Sequence, residues 1–251
     1  MESSAISISS DEAWKQRQAE FPIGLIEACL WLAAVYAIPA AVLELMRLTN
    51  SKVPAGLPEF TPQLAVMGGL AILFLIYWKF VRKANLRALG LTGERLLGDL
   101  GFAAVAAIAL GVIYAAVIGV IYLVCHWLLP EGDGAFRQFV RGTGFRDSSI
   151  PYIVGVVVFF PLLEEFWYRG LMYTPLRREF GKWRAIIFLA FIFGAAHFTG
   201  SNLPLNQLFG GLVFAWAFEK RRTLVAPVLL HMAGNGSLAL TTHLAALWGF
   251  K

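Results

Sequence analysis

Apolar runs long enough to cross a bilayer recur along this chain, beginning near Phe21, Gln63, Leu97, Ile150 and Leu224. About 18 consecutive apolar residues in a helix cover a hydrocarbon core of roughly 30 Å. Of the 251 residues, 58% are hydrophobic and 15% are charged, against about 25% charged in an ordinary soluble domain. In lipid every backbone N–H and C=O needs an internal partner, which helices supply within one segment. The expected fold class is therefore all-α, a polytopic transmembrane helical bundle with membrane lipids as neighbours.

Seven spans can be drawn: 21–46, 63–80, 97–129, 150–172, 184–198, 203–218 and 224–248. An eighth appears if the long third run is split. Three basic clusters follow spans two, four and six: Lys79, Arg82, Lys83, Arg87 and Arg95; Arg177, Arg178, Lys182 and Arg184; Lys220, Arg221 and Arg222. With seven spans they all fall on one side. An excess of Lys and Arg marks the cytosolic side, so the N-terminus is expected in the cytosol and the C-terminus outside. The net charge of +5 thus sets topology, and no basic-aromatic pattern points to nucleic acid. Residues 1–20 read as a polar cytosolic tail and 21–251 as one transmembrane domain. The segment 130–149 reads as a polar loop. Cys29 and Cys125 lie inside apolar runs, without metal-site spacing or a disulfide framework.

Ionisable groups within spans are costly and mark function, and three clusters of them lie in the C-terminal half, which makes 150–240 the candidate catalytic core. The first is Glu164-Glu165-Phe166-Trp167-Tyr168-Arg169. Adjacent residues on a helix point about 100° apart, so the two carboxylates face different surroundings. Glu165 lies four residues before Arg169, the favourable order for a helical ion pair. Glu164 is left without a cation and is placed to serve as a general base. The second cluster is Phe193-Gly194-Ala195-Ala196-His197, where small residues allow a close helix neighbour. The third is His231-Met232-Ala233-Gly234-Asn235. His231 and Asn235 share one helix face and can donate hydrogen bonds to a developing oxyanion. By counting along the spans, Glu164 and His231 fall near the cytosolic side and His197 toward the outer side, a mismatch in depth. His126 and His243 sit near span ends and read as interfacial residues.

In order and spacing these residues resemble the CPBP family of intramembrane endopeptidases, which includes the type II CAAX prenyl proteases and bacteriocin-processing and self-immunity proteins. The family pattern EExxxR, FxxxH, HxxxN is met by Glu164, Glu165 and Arg169, by Phe193 and His197, and by His231 and Asn235. The resemblance implies a peptidase in which Glu164 activates a water that His197 helps to hold. His231 and Asn235 would stabilise the oxyanion, and Glu165 and Arg169 would orient the site. It implies a peptide or protein substrate, lipid-modified or not, cut near the cytosolic membrane face, and a prokaryotic plasma membrane as the location. It favours a mechanism without a cofactor. Two other readings use the same residues: a zinc-dependent protease with Glu164, His197 and His231 as ligands, and a non-catalytic binding or immunity protein. A transporter with a protonatable Glu164 would carry inverted repeats, and the sequence shows none.

Overall fold

The computed structural model describes residues 10–130, 132, 134, 136, 149–198, 200 and 203–247, and all regular structure among them is helical. In chain order, α1 is Ser10–Glu20, α2 Leu25–Leu48 and α3 Thr61–Ile76, prolonged by a π-helical turn, Tyr77–Val81. A 3-10 turn, Leu86–Leu89, precedes α4, Leu96–Leu128. α5 is the composite Ile150–Phe180, in which α-helical stretches alternate with π-helical ones at Gly155–Phe159 and Phe166–Met172. α6 is Lys182–Ala196, α7 Leu205–Arg221 and α8 Val225–Leu247. Most of the expected polar loop at 130–149 lies outside the described residues, as does the side chain of His243.

The expectation of seven spans, or eight with the third divided, is overturned. Among the described residues, four stretches are long and apolar enough to cross a membrane: Leu25–Leu48, Thr61–Val81, Leu96–Leu128 and Ile150–Phe180. α6 has 15 residues and α7 has 17; at about 1.5 Å per residue both fall short of roughly 30 Å. α8 is long enough at 23 residues, but His231, Asn235 and Ser237 make it too polar to count. α4 runs unbroken for 33 residues, so there is no split third span either. The reason is that an apolar run does not say what it packs against. One face of α6 and α7, with Leu189, Phe193, Ala215 and Phe218, is buried against protein, while Phe191 and Phe209 on the other face are exposed. The protein remains a multi-pass membrane protein built on four candidate spanning helices.

α6 and α7 pack antiparallel and close. A Cβ added at Gly211 would come within 2.8 Å of the Ala190 Cα, and one at Gly194 within 2.8 Å of Leu208. Glycine removes the side chain that would hold the two backbones apart.

The three basic clusters gather at one end of the bundle, around α1. Arg82 is ion-paired with Glu27 at the start of α2. Arg178 donates to the Ile23 carbonyl at 3.0 Å, and Arg17 to the carbonyls of Ala88 and Arg222. α1, read from the sequence as part of a tail, is seated in the fold: Trp14 is fully buried and its indole N–H donates to the Glu219 carbonyl at 3.1 Å. The Glu219 carboxylate in turn accepts from Tyr173 at 2.8 Å and from Arg177 at 2.8 and 3.1 Å. A buried carboxylate held by three donors is a satisfied one, and Glu219, by its carboxylate to α5 and its carbonyl to α1, ties both to α7.

Candidate active site

α5 and α6 form a hairpin that turns at Gly181, whose φ of 79° lies in the region glycine adopts without a steric penalty. Glu164 and His197 stand at nearly equal distances along the chain from that turn, so the antiparallel hairpin sets them side by side. This removes the mismatch in depth read from the sequence. Glu164 is near the middle of the 31-residue α5, not near its basic end, and His197 follows α6 directly.

The two glutamates occupy a short α-helical stretch, Phe160–Glu165, between the two π-helical ones. A π turn carries an extra residue per hydrogen-bonded ring and re-aims the side chains after it. Both glutamates are buried, Glu165 completely. Glu165 accepts from Arg169 at 2.9 Å, the contact implied by their four-residue spacing, and Arg169 also donates to the Gly211 carbonyl at 3.0 Å. Arg169 has no solvent exposure and lies among the rings of Tyr168, Phe193 and Phe214.

Glu165 has a second partner that sequence spacing could not show. The same carboxylate oxygen faces His231 Nδ1 at 2.8 Å. A carboxylate accepts, so Nδ1 carries the proton and Nε2 is turned toward Glu164, 3.6 Å away. His197 is set in the same way. Its Nδ1 donates to the Phe193 carbonyl at 2.8 Å, and its Nε2 lies 3.5 Å from Glu164. The two imidazoles therefore present the same nitrogen to the two oxygens of one carboxylate. Both separations are too long for a strong direct hydrogen bond, and the three groups lie close enough together to share one water on their cavity side. Phe193 packs against both rings, and Phe214 stacks on His231 with centroids 4.5 Å apart.

Asn235 is on the same face of α8 as His231, but it does not touch Glu164. Its amide nitrogen donates to the Val156 carbonyl at 2.7 Å, a backbone group within the first π-helical stretch. An amide has two N–H donors, so this bond fixes the side chain and leaves one donor to serve. Glu164, His197, His231 and Asn235 all line a cavity of about 480 Å³ whose other walls include Leu110, Phe160, Val213 and Leu238.

Further polar groups of the site escaped the reading of the sequence. Tyr36 of α2 lines the cavity, and its hydroxyl is hydrogen-bonded to that of Tyr168. Tyrosines are common in apolar spans, and nothing in the spacing sets Tyr36 apart. The acceptors on Val156, Phe193 and Gly211 are backbone carbonyls, which no side-chain motif reports. Among the described residues, no three His, Cys, Asp or Glu side chains converge as a metal-ion site.

Residues 146–237, which contain this whole constellation, match the model of the type II CAAX prenyl endopeptidase Rce1-like family. Over that segment the chain is similar to this family. The Rce1-like segment takes in α5, α6, α7 and the first half of α8, and α1 to α4 lie outside it. No curated protein and no solved structure matches the chain.

Proposed function

We propose that this protein is an intramembrane endopeptidase of the glutamate type, with 150–240 as its catalytic core and the basic end of the bundle in the cytosol. The observation that carries the proposal is the convergence of the Nε2 atoms of His197 and His231 on the two oxygens of the buried Glu164, at 3.5 and 3.6 Å. A water seated between these groups is oriented by three of them at once. Glu164 removes its proton as the water oxygen attacks the peptide carbonyl carbon, and the carbonyl electron pair moves onto oxygen. His231, held by Glu165 through Nδ1, donates from Nε2 in its protonated form to that oxyanion, and the second N–H of Asn235 joins it. Glu164 then returns the proton to the amine as the C–N bond breaks. Arg169, 2.9 Å from Glu165, pairs with the carboxylate that orients His231. The apolar walls of the cavity favour an apolar peptide stretch. The gathering of the basic clusters around α1 supports the orientation, by the excess of positive charge on the cytosolic side.

The direct test is Glu164→Gln, which keeps the shape of the side chain and removes its basicity. In purified, folded protein, cleavage of an apolar peptide should fall by about a hundred- to ten-thousand-fold. A rate near that of the wild type would overturn the proposal. A metal chelator should leave the wild-type rate unchanged; loss of turnover that zinc restores would move Glu164, His197 and His231 from water activation to metal ligation.

A further inference from the structure

A second cavity, of about 250 Å³, opens at the basic end of the bundle between α1, the segment 87–95 and the turn 221–223. Five arginines line it, Arg17, Arg87, Arg95, Arg221 and Arg222, against two carboxylates, Glu20 and Glu94. Part of this charge is matched locally. Arg87 meets Glu94 at 2.7 Å on the exposed rim, and Arg221 meets the buried Asp99 at 2.6 Å. Arg17 has no ion-pair contact among the described residues, and the Glu219 carboxylate offsets its charge only from a distance. Arg17 is buried, its two terminal nitrogens donate to the carbonyls of Arg222 and Ala88 at 2.6 and 2.7 Å, and its Nε has no partner among the described residues. Carbonyls satisfy hydrogen bonds and leave the charge in place. Burial, with Arg222 next to it, pushes Arg17 down to about 9, and burial followed by the charge of Arg95 also lowers Arg222. The cations lie close enough to lower one another, Glu219 offsets Arg17 and Arg222 in part, and an anion in the cavity would relieve the rest.

The cavity is already formed. Its walls are joined beside Arg17 at Gly90, φ 84°, whose carbonyl accepts from the Leu224 N–H at 3.0 Å, and a Cβ at Gly90 would come within 2.8 Å of Phe218 and 3.3 Å of Arg17. Guanidinium forks match the oxygens of a phosphate two at a time. Directly after Arg95, Leu96, Leu97 and Leu100 are exposed, Leu97 at 85%. A headgroup seated among the arginines could run its acyl chain down the bare side of α4.

We propose that this cavity binds a phosphate-bearing anion, seated by Arg95 and Arg222 with Arg17 beneath it. A phospholipid headgroup and free phosphate share this chemistry. The experiment uses the purified full chain with two probes: inorganic phosphate titrated into protein in detergent, and nanodiscs of phosphatidylcholine alone or with phosphatidylglycerol. Binding is read by thermal unfolding and by native mass spectrometry of retained lipid. The wild type should be stabilised by at least one probe, and Arg95→Gln and Arg222→Gly should each weaken that binding by about tenfold. Arg95 is exposed, so its variant should unfold at the wild-type temperature when no probe is present; should Arg222→Gly fail to fold, Arg95→Gln decides alone. Arg47→Gln, an exposed arginine at the far end of α2, should bind as the wild type does. Response to phosphatidylglycerol only assigns the site to a lipid headgroup, and response to phosphate only assigns it to a soluble anion. No response to either probe, or equal binding by Arg95→Gln and the wild type, overturns the proposal.

Discussion

α4 and α5 are close in length, 33 and 31 residues, and both are apolar enough to span a membrane, yet they are built for opposite surroundings. The most apolar 18-residue stretch of α4 has a mean hydropathy of 2.6 and none of it is buried in the protein; that of α5 has 1.6 and is 39% buried. α4 shows Val105, Ile108 and Val112 outward and buries little beyond Asp99, Ala103 and Cys125. α5 buries two glutamates and an arginine and gives up α-helical regularity twice. The more apolar helix is the one that faces lipid, and the less apolar one is enclosed by protein because its polar groups need partners that lipid cannot supply.

Substitutions can break or sharpen this contrast. The largest effect on stability should come from Arg169→Leu, which leaves Glu165 buried without its cation and should cost about 3–5 kcal/mol, measured by unfolding in mild detergent. Adding Glu165→Leu should recover most of that loss. If the single variant is as stable as the wild type, the enclosed pair is not what distinguishes α5. Next is Asn235→Ala, which removes both the bond to Val156 and the spare donor. It should lower kcat by about a hundred- to a thousand-fold with a smaller change in KM, a split that steady-state kinetics would reveal. The smallest effects belong to α4: Val105→Ala and Ile108→Ala should each change stability by no more than about 0.5 kcal/mol. A cost of several kcal/mol there would mean that a partner covers this face.

The chemistry was more legible in the sequence than the architecture around it. Glu164, Glu165, Arg169, His197, His231 and Asn235 stand out because charge and carboxamide inside apolar runs are costly wherever they occur, and helical spacing pairs Glu165 with Arg169 without further information. The span count was not legible. Part of what makes α6 and α7 look like spans, Leu189 and Phe218 for example, is buried against protein, and hydropathy does not distinguish protein from lipid. Depth was misread for a related reason: counting from the basic clusters placed Glu164 near an end of its helix, whereas α5 continues through Tyr173–Phe180 and leaves Glu164 midway. The bond from His231 to Glu165 joins residues 66 apart in sequence, and no local pattern predicts it.

The seating of α1 also has a consequence for how the molecule is made. Trp14 and Arg17 each bond to a partner 205 residues further along the chain. At a synthesis rate of roughly 5–20 residues per second, the opening helix must wait about 10–40 s for those partners to leave the ribosome. During that interval Trp14 lacks the Glu219 carbonyl and the Arg17 charge has no enclosure, so α1 is translated well before it can find its place.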